Sequence, residues 1–147
     1  MTDRNVKRRV YDLEERLIDF AVRNIAVVEA LPNTRAGNHV AGQLVRCGTS
    51  PAPNYAEAQG AESRNDFIHK MKVCLKELRE TRVWLLIIQR KPLIKPPQKL
   101  SSLVNECEEL IAIFVRSIDT AKKNRLKKNG NTDRGQKTSN SEHRLSK

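Results

Sequence analysis

A chain of 147 residues has room for one domain and a tail, and it can bury a core without disulfide or metal staples. Aromatic residues make up only 4% of it while Leu, Ile, Val and Ala are common, which favours helices packed by aliphatic side chains over a sheet. The formal net charge is +11, and residues 122–147 hold nine Lys or Arg against Asp133 and Glu142, so +7 of it lies there; such an excess attracts polyanions, nucleic acid first and anionic membrane second, or solvates a disordered tail.

The first helix is predicted over 12–31. Asp12 followed by Glu15 has the spacing of a capping box, and Leu13, Leu17, Phe20, Val27 and Leu31 follow at helical steps, with Ile18, Ala21, Ile25 and Val28 widening the stripe. Pro32 and Asn33 end it. The second pattern covers 35–61 and keeps Val40, Leu44 and Cys47 on one face until Gly48, Pro51 and Pro53 intervene. Proline inside a helix removes a donor and clashes with the preceding turn, at about 3 kcal/mol, so a kink or restart is expected; Tyr55 and Ala58 continue the apolar phase and favour one bent helix.

The third helix, 64–90, is capped by Ser63 or Asn65. It carries Phe67, Met71, Cys74, Leu78, Thr81, Leu85 and Ile88 in alternating steps of four and three, a heptad seam. Near its end Val83, Trp84 and Ile87 make it apolar almost all round, which points to a subunit interface there. The Pro-rich link 91–98 separates it from a fourth helix, 97–128, with Leu100, Leu103, Cys107, Leu110, Phe114, Ile118 and Ala121 on its seam and Val104, Ile111 and Val115 beside them. Asn129-Gly130 is expected to stop that helix, leaving 129–147 as a basic disordered tail. Periodicity alone therefore predicts an all-α fold, an antiparallel up-down-up-down four-helix bundle over 1–128.

Residues 43–86 hold most of the distinctive sequence. The combination QL-R-G-TS and NY-EA in the second helix, with S--DFI-K and KELRET--WL in the third, resembles the bacterial 23S rRNA intervening-sequence proteins, catalogued as four helix bundle proteins. The likeness runs from about Asp12 to Ile94. It implies an antiparallel bundle assembled as a ring-shaped homopentamer, with RNA or DNA binding as the usual suggestion. A related bundle, the accessory protein of diversity-generating retroelements, implies the alternative of an interaction scaffold with a reverse transcriptase as partner. Pro51, Ala52 and Pro53 depart from the family's more common helix-compatible triplet.

Several constellations carry chemistry. Arg46, Ser50, Asn54 and Glu57 form a polar line along the second helix, and Glu77 with Glu80 an acidic edge on the third. They read as a hydrogen-bond and salt-bridge network that sets helix register. A bundle metal site would want Glu-x-x-His motifs; here His39, His69 and His143 stand apart, and no metal or cofactor is expected. Ser50 lacks a His and an acid at credible positions, and Gly37, Gly42, Gly48 and Gly60 match no nucleotide fingerprint, so no enzymatic activity is expected.

Lys72, Lys76 and Arg79 make a basic ridge, and Lys122, Lys123, Arg125, Lys127 and Lys128 a second cluster; both suit phosphate contacts without base reading. Trp84 is expected as a core or interface anchor. Cys47, Cys74 and Cys107, odd in number and without a CxxC pair, read as buried thiols in a reducing cytoplasm. The N-terminus has no apolar signal region and residues 83–88, the longest apolar run, cannot span a bilayer, so a cytoplasmic protein without a membrane partner is expected.

Overall fold

Four rods stand at the four corners of the protein. The computed structural model describes the backbone of residues 2–145 and the side chains of residues 13–127. The elements are α1 (Thr2–Ala30), α2 (Arg35–Thr49), α3 (Pro51–Gln59), α4 (Arg64–Arg90), a 3-10 turn (Pro97–Leu100) and α5 (Ser101–Leu145). Because α2 and α3 follow one another across the single residue Ser50, they make one broken rod, and the fold is an all-α four-helix bundle. α1 and α4 each pack on α2, α3 and α5 but do not approach one another, so they occupy diagonal corners. Short connections between successive rods bring sequence neighbours side by side.

The seams meet as their spacing requires. Leu17 and Phe20 of α1, Val40, Leu44 and Cys47 of α2, Tyr55 and Ala58 of α3, Met71, Cys74, Leu78, Leu85 and Ile88 of α4, and Leu103, Cys107, Leu110 and Phe114 of α5 form one continuous core. Tyr55 and Phe114 meet edge to face at 5.9 Å, the arrangement the ring quadrupoles favour. Thr81 continues the α4 seam as a buried hydroxyl whose proton goes to the Glu77 carbonyl at 2.7 Å.

Local signals fix the helix ends. Thr34 caps α2 by accepting from the Gly37 amide at 3.0 Å, and a side chain at Gly37 would stand 2.0 Å from the Pro32 carbonyl oxygen. Of the two candidate caps for α4, Ser63 serves: its hydroxyl accepts from the Asp66 amide at 3.0 Å, while the Asp66 carboxylate accepts from the Glu62 amide at 3.4 Å.

Three expectations need correction. α1 starts at Thr2, not Asp12, because the residues before Asp12 contain no Pro or Gly to break a helix; the Asp12 side chain lies outside the described residues. The second rod restarts instead of bending: Ser50 keeps helical angles (φ −66°, ψ −38°), and Pro51 opens α3 at the position where a missing N–H is harmless. α5 runs through Asn129-Gly130 to Leu145, since an interior Gly weakens a helix by only about 1 kcal/mol relative to Ala. The tail expectation for 129–147 otherwise falls on side chains outside the described residues.

Candidate functional site

Part of the polar line does form a network. Arg46 on α2 reaches across to α4, donating to Glu77 at 3.1 Å and pairing closely with Glu80. The attraction of Glu80, then of Glu77, raises the Arg46 pKa, so the cation is fixed. Ser50 accepts from the Asn54 amide group at 2.7 Å and links the end of α2 to α3 across the break. Glu57 is exposed and joins neither group. The line resolves into the Arg46–Glu77–Glu80 group and the Ser50–Asn54 pair, and neither holds a nucleophile beside a base.

The basic residues are divided in the same way. Lys72, Lys76 and Arg79 are exposed on α4, and with Lys122 from α5 they line one groove between the two helices, floored by Leu75, Val115 and Ile118. Asp119 is the one acid in that lining, and it faces Lys123 at 3.9 Å. Arg125 donates to Asn65 Oδ1 at 3.1 Å, and Lys127 is exposed. Lys128 lies outside the described side chains. Since α5 turns about 100° per residue, consecutive cations there cannot share one face, and only Lys122 joins the α4 ridge in lining this groove.

The apolar end of α4 also splits. Trp84 is half-buried against the core and stands edge-on to His39 of α2, ring centres 5.9 Å apart. Val83 and Ile87 point away from it and are 51% and 41% exposed, in a shallow groove with Arg82, Leu86, Arg90 and Lys91. Of the three residues expected at an interface, Val83 and Ile87 are open to solvent and Trp84 is half-buried.

Other contacts went unforeseen. Arg16 of α1 pairs with Glu106 and, at 2.9 Å, with Glu109 of α5. Arg23 donates to the Ser102 hydroxyl at 2.9 Å, and Arg82 of α4 to Glu108 of α5 at 3.1 Å. Such partners depend on the rotation of one helix against another, for which the sequence carries no sign. Asn24 was also missed, although the steps Leu17, Phe20, Asn24, Val27 place it on the α1 seam; it is fully buried.

All three cysteines are buried thiols. Burial pushes Cys74 and Cys107 up to about 12, with their protons near the Pro51 and Leu78 carbonyls. Among the described residues no three His, Cys, Asp or Glu side chains gather to hold a metal ion, and no helix is long and apolar enough to cross a membrane.

The fold and surface together define a small helical-bundle protein with cations concentrated along one groove. The chain belongs to the 23S rRNA-intervening sequence protein family, whose model matches residues 11–116. It is similar to a crystal structure from Bacteroides thetaiotaomicron described as a protein with unknown function from the S23 ribosomal protein family, at 33% identity and a TM-score of 0.66, covering 72% of this chain and 97% of that one. A comparison with curated proteins finds no match.

Proposed function

We propose that the protein is a non-enzymatic, self-associating cytoplasmic bundle that holds RNA or DNA through phosphate contacts on its α4–α5 face. The observation that carries this reading is the convergence of Lys72, Lys76, Arg79 and Lys122 over one groove. Three other cations of the described residues, Arg16, Arg46 and Arg82, are already engaged by carboxylates of neighbouring helices. The four groove cations make no ion pair among the described residues, so phosphate groups can take their place as counter-charges.

No aromatic side chain lines this groove. Binding through it is therefore directed at the backbone and indifferent to base sequence. In a homo-oligomer, such as the ring-shaped pentamer implied by the family likeness, copies of the groove would form a belt of positive charge and gain avidity along one strand.

Titration of the protein with a structured RNA over a series of salt concentrations tests this. Four phosphate contacts per protomer predict that log K falls with log salt at a slope of about −3 to −4. Lys72→Glu, Lys76→Glu and Arg79→Glu together should abolish binding with the helical signal unchanged, because all three side chains are exposed. Absence of wild-type binding at low salt, or undiminished binding by the triple variant, overturns the reading.

A further inference from the structure

Most of the large apolar side chains left exposed lie on two stripes, and the two carry opposite charge. The outward face of α1 presents Glu15, Ile18, Val22, Ile25 and Glu29 at steps of three, four, three and four. Ile18, Val22 and Ile25 are 44%, 58% and 39% exposed. Glu14 and Asp19 flank them, also exposed, while the two described cations of α1, Arg16 and Arg23, are turned toward α5. This face is apolar in the middle and acidic around it.

The outward face of α4 presents Lys76, Arg79, Val83, Ile87 and Arg90 at steps of three, four, four and three. Here Val83 and Ile87 form the apolar middle, with cations toward both ends. Each set spans fourteen residue steps, about 21 Å of helix. Two rods of equal length thus carry matching apolar centres and opposite charges at their ends. None of these charged groups forms an ion pair among the described residues, and α1 and α4 stand at diagonal corners, so one protomer cannot bring its own two faces together.

We propose that copies of this chain join head to tail, the outer face of α1 on one protomer docking on the outer face of α4 on the next. This deepens the self-association proposed above and rests on it. Apolar centres leave water while Glu15 and Glu29 approach Lys76, Arg79 and Arg90, which sets the register. Because the two faces differ, the contact is heterologous: any open assembly keeps one unused α1 face at one end and one unused α4 face at the other. Lys72 and Lys122 remain outside the stripe, and Lys76 and Arg79 stand where it meets the phosphate-binding groove.

The test uses one substitution on each face, Val22→Arg and Ile87→Arg, at exposed positions that leave the cations in place. Masses by light scattering at micromolar concentration, without nucleic acid, should show an oligomer for the wild type and a monomer for each variant, with the helical signal retained. An equimolar mixture of the two variants should give a species of twice the protomer mass and no larger, since each partner supplies one intact face. Glu29→Lys and Arg90→Glu, milder changes, should loosen the wild-type assembly singly and restore it when combined in one chain.

A monomeric wild type removes the self-association reading altogether. An oligomeric wild type with either arginine variant still at wild-type mass, or a mixture that stays monomeric, removes only the assignment of these two faces. Because Lys76 and Arg79 serve both surfaces, the RNA titration is scored separately with Lys72→Glu and Lys122→Glu, groove cations that lie outside the stripe.

Discussion

Asn24 on α1 and Gly48 on α2 lie so close that a Cβ on Gly48 would stand 2.8 Å from both Cβ and Cγ of Asn24. These are inner atoms of a fully buried side chain, tied in place because its amide nitrogen donates to the Phe20 carbonyl at 2.8 Å. Gly48→Ala should therefore destabilise the bundle by about 1–3 kcal/mol through overpacking. Asn24→Ala should recover part of that loss in the double variant, because the two sites share the clash. Urea denaturation of the four proteins checks it; strictly additive changes would show that the contact is not what limits the site.

Two other glycines of α2 should respond in opposite directions. Gly42 has nothing within 4 Å of an added Cβ, and Gly42→Ala should stabilise the protein by up to about 1 kcal/mol through helix propensity alone. Gly37→Ala would place its methyl group on the Pro32 carbonyl and should destabilise it by more than that. Thermal melts of both variants decide the matter, and equal shifts would contradict it.

Burial raises the Cys74 and Cys107 thiols from their ordinary value of 9.0 to about 12. The folded protein keeps both thiols protonated where the unfolded chain would ionise them. Their contribution to stability is complete below pH 9, the unfolded value, and declines as pH rises toward 12. The urea midpoint should fall over that interval, less steeply in a Cys74→Ala, Cys107→Ala variant. At pH 8 an aromatic disulfide reagent should react with these thiols only after denaturant is added.

The cross-helix ion pairs should differ in value. Glu106 is 18% exposed at its side chain and holds Arg16, whose pKa rises chiefly through that hydrogen bond. Glu106→Ala should cost about 1 kcal/mol, partly from the Arg16 guanidinium left behind. Glu108, 48% exposed against Arg82, belongs to an ordinary surface pair, and Glu108→Ala should change stability by less than about 0.5 kcal/mol. Comparable losses from the two would mean that exposure does not govern these bridges.

The bundle was legible because α4 and α5 carry apolar side chains at nearly every seam position, so that period and burial coincide from Met71 to Ile88 and from Leu103 to Ile118. α1 was harder to read. Its seam passes through a polar residue, Asn24, while Ile18 and Ile25, counted on the stripe by their hydrophobicity, face outward. The candidate site was legible where residues share one helix, as along the Lys72, Lys76 and Arg79 ridge. Where membership depends on a second helix, as for Lys122, Glu106 or Glu108, the relative rotation of two rods decides, and no local pattern encodes it.

Trp84, the single tryptophan of the chain, stands at the α2–α4 seam with its ring edge toward His39. The molecule therefore carries its own optical gauge at one place. Parting of α2 from α4 should shift the indole emission to longer wavelength as water reaches the ring. Loosening confined to the α1–α5 seam should leave the spectrum unaltered while the total helical signal declines, so the two optical traces together would reveal whether the rods part in sequence or all at once.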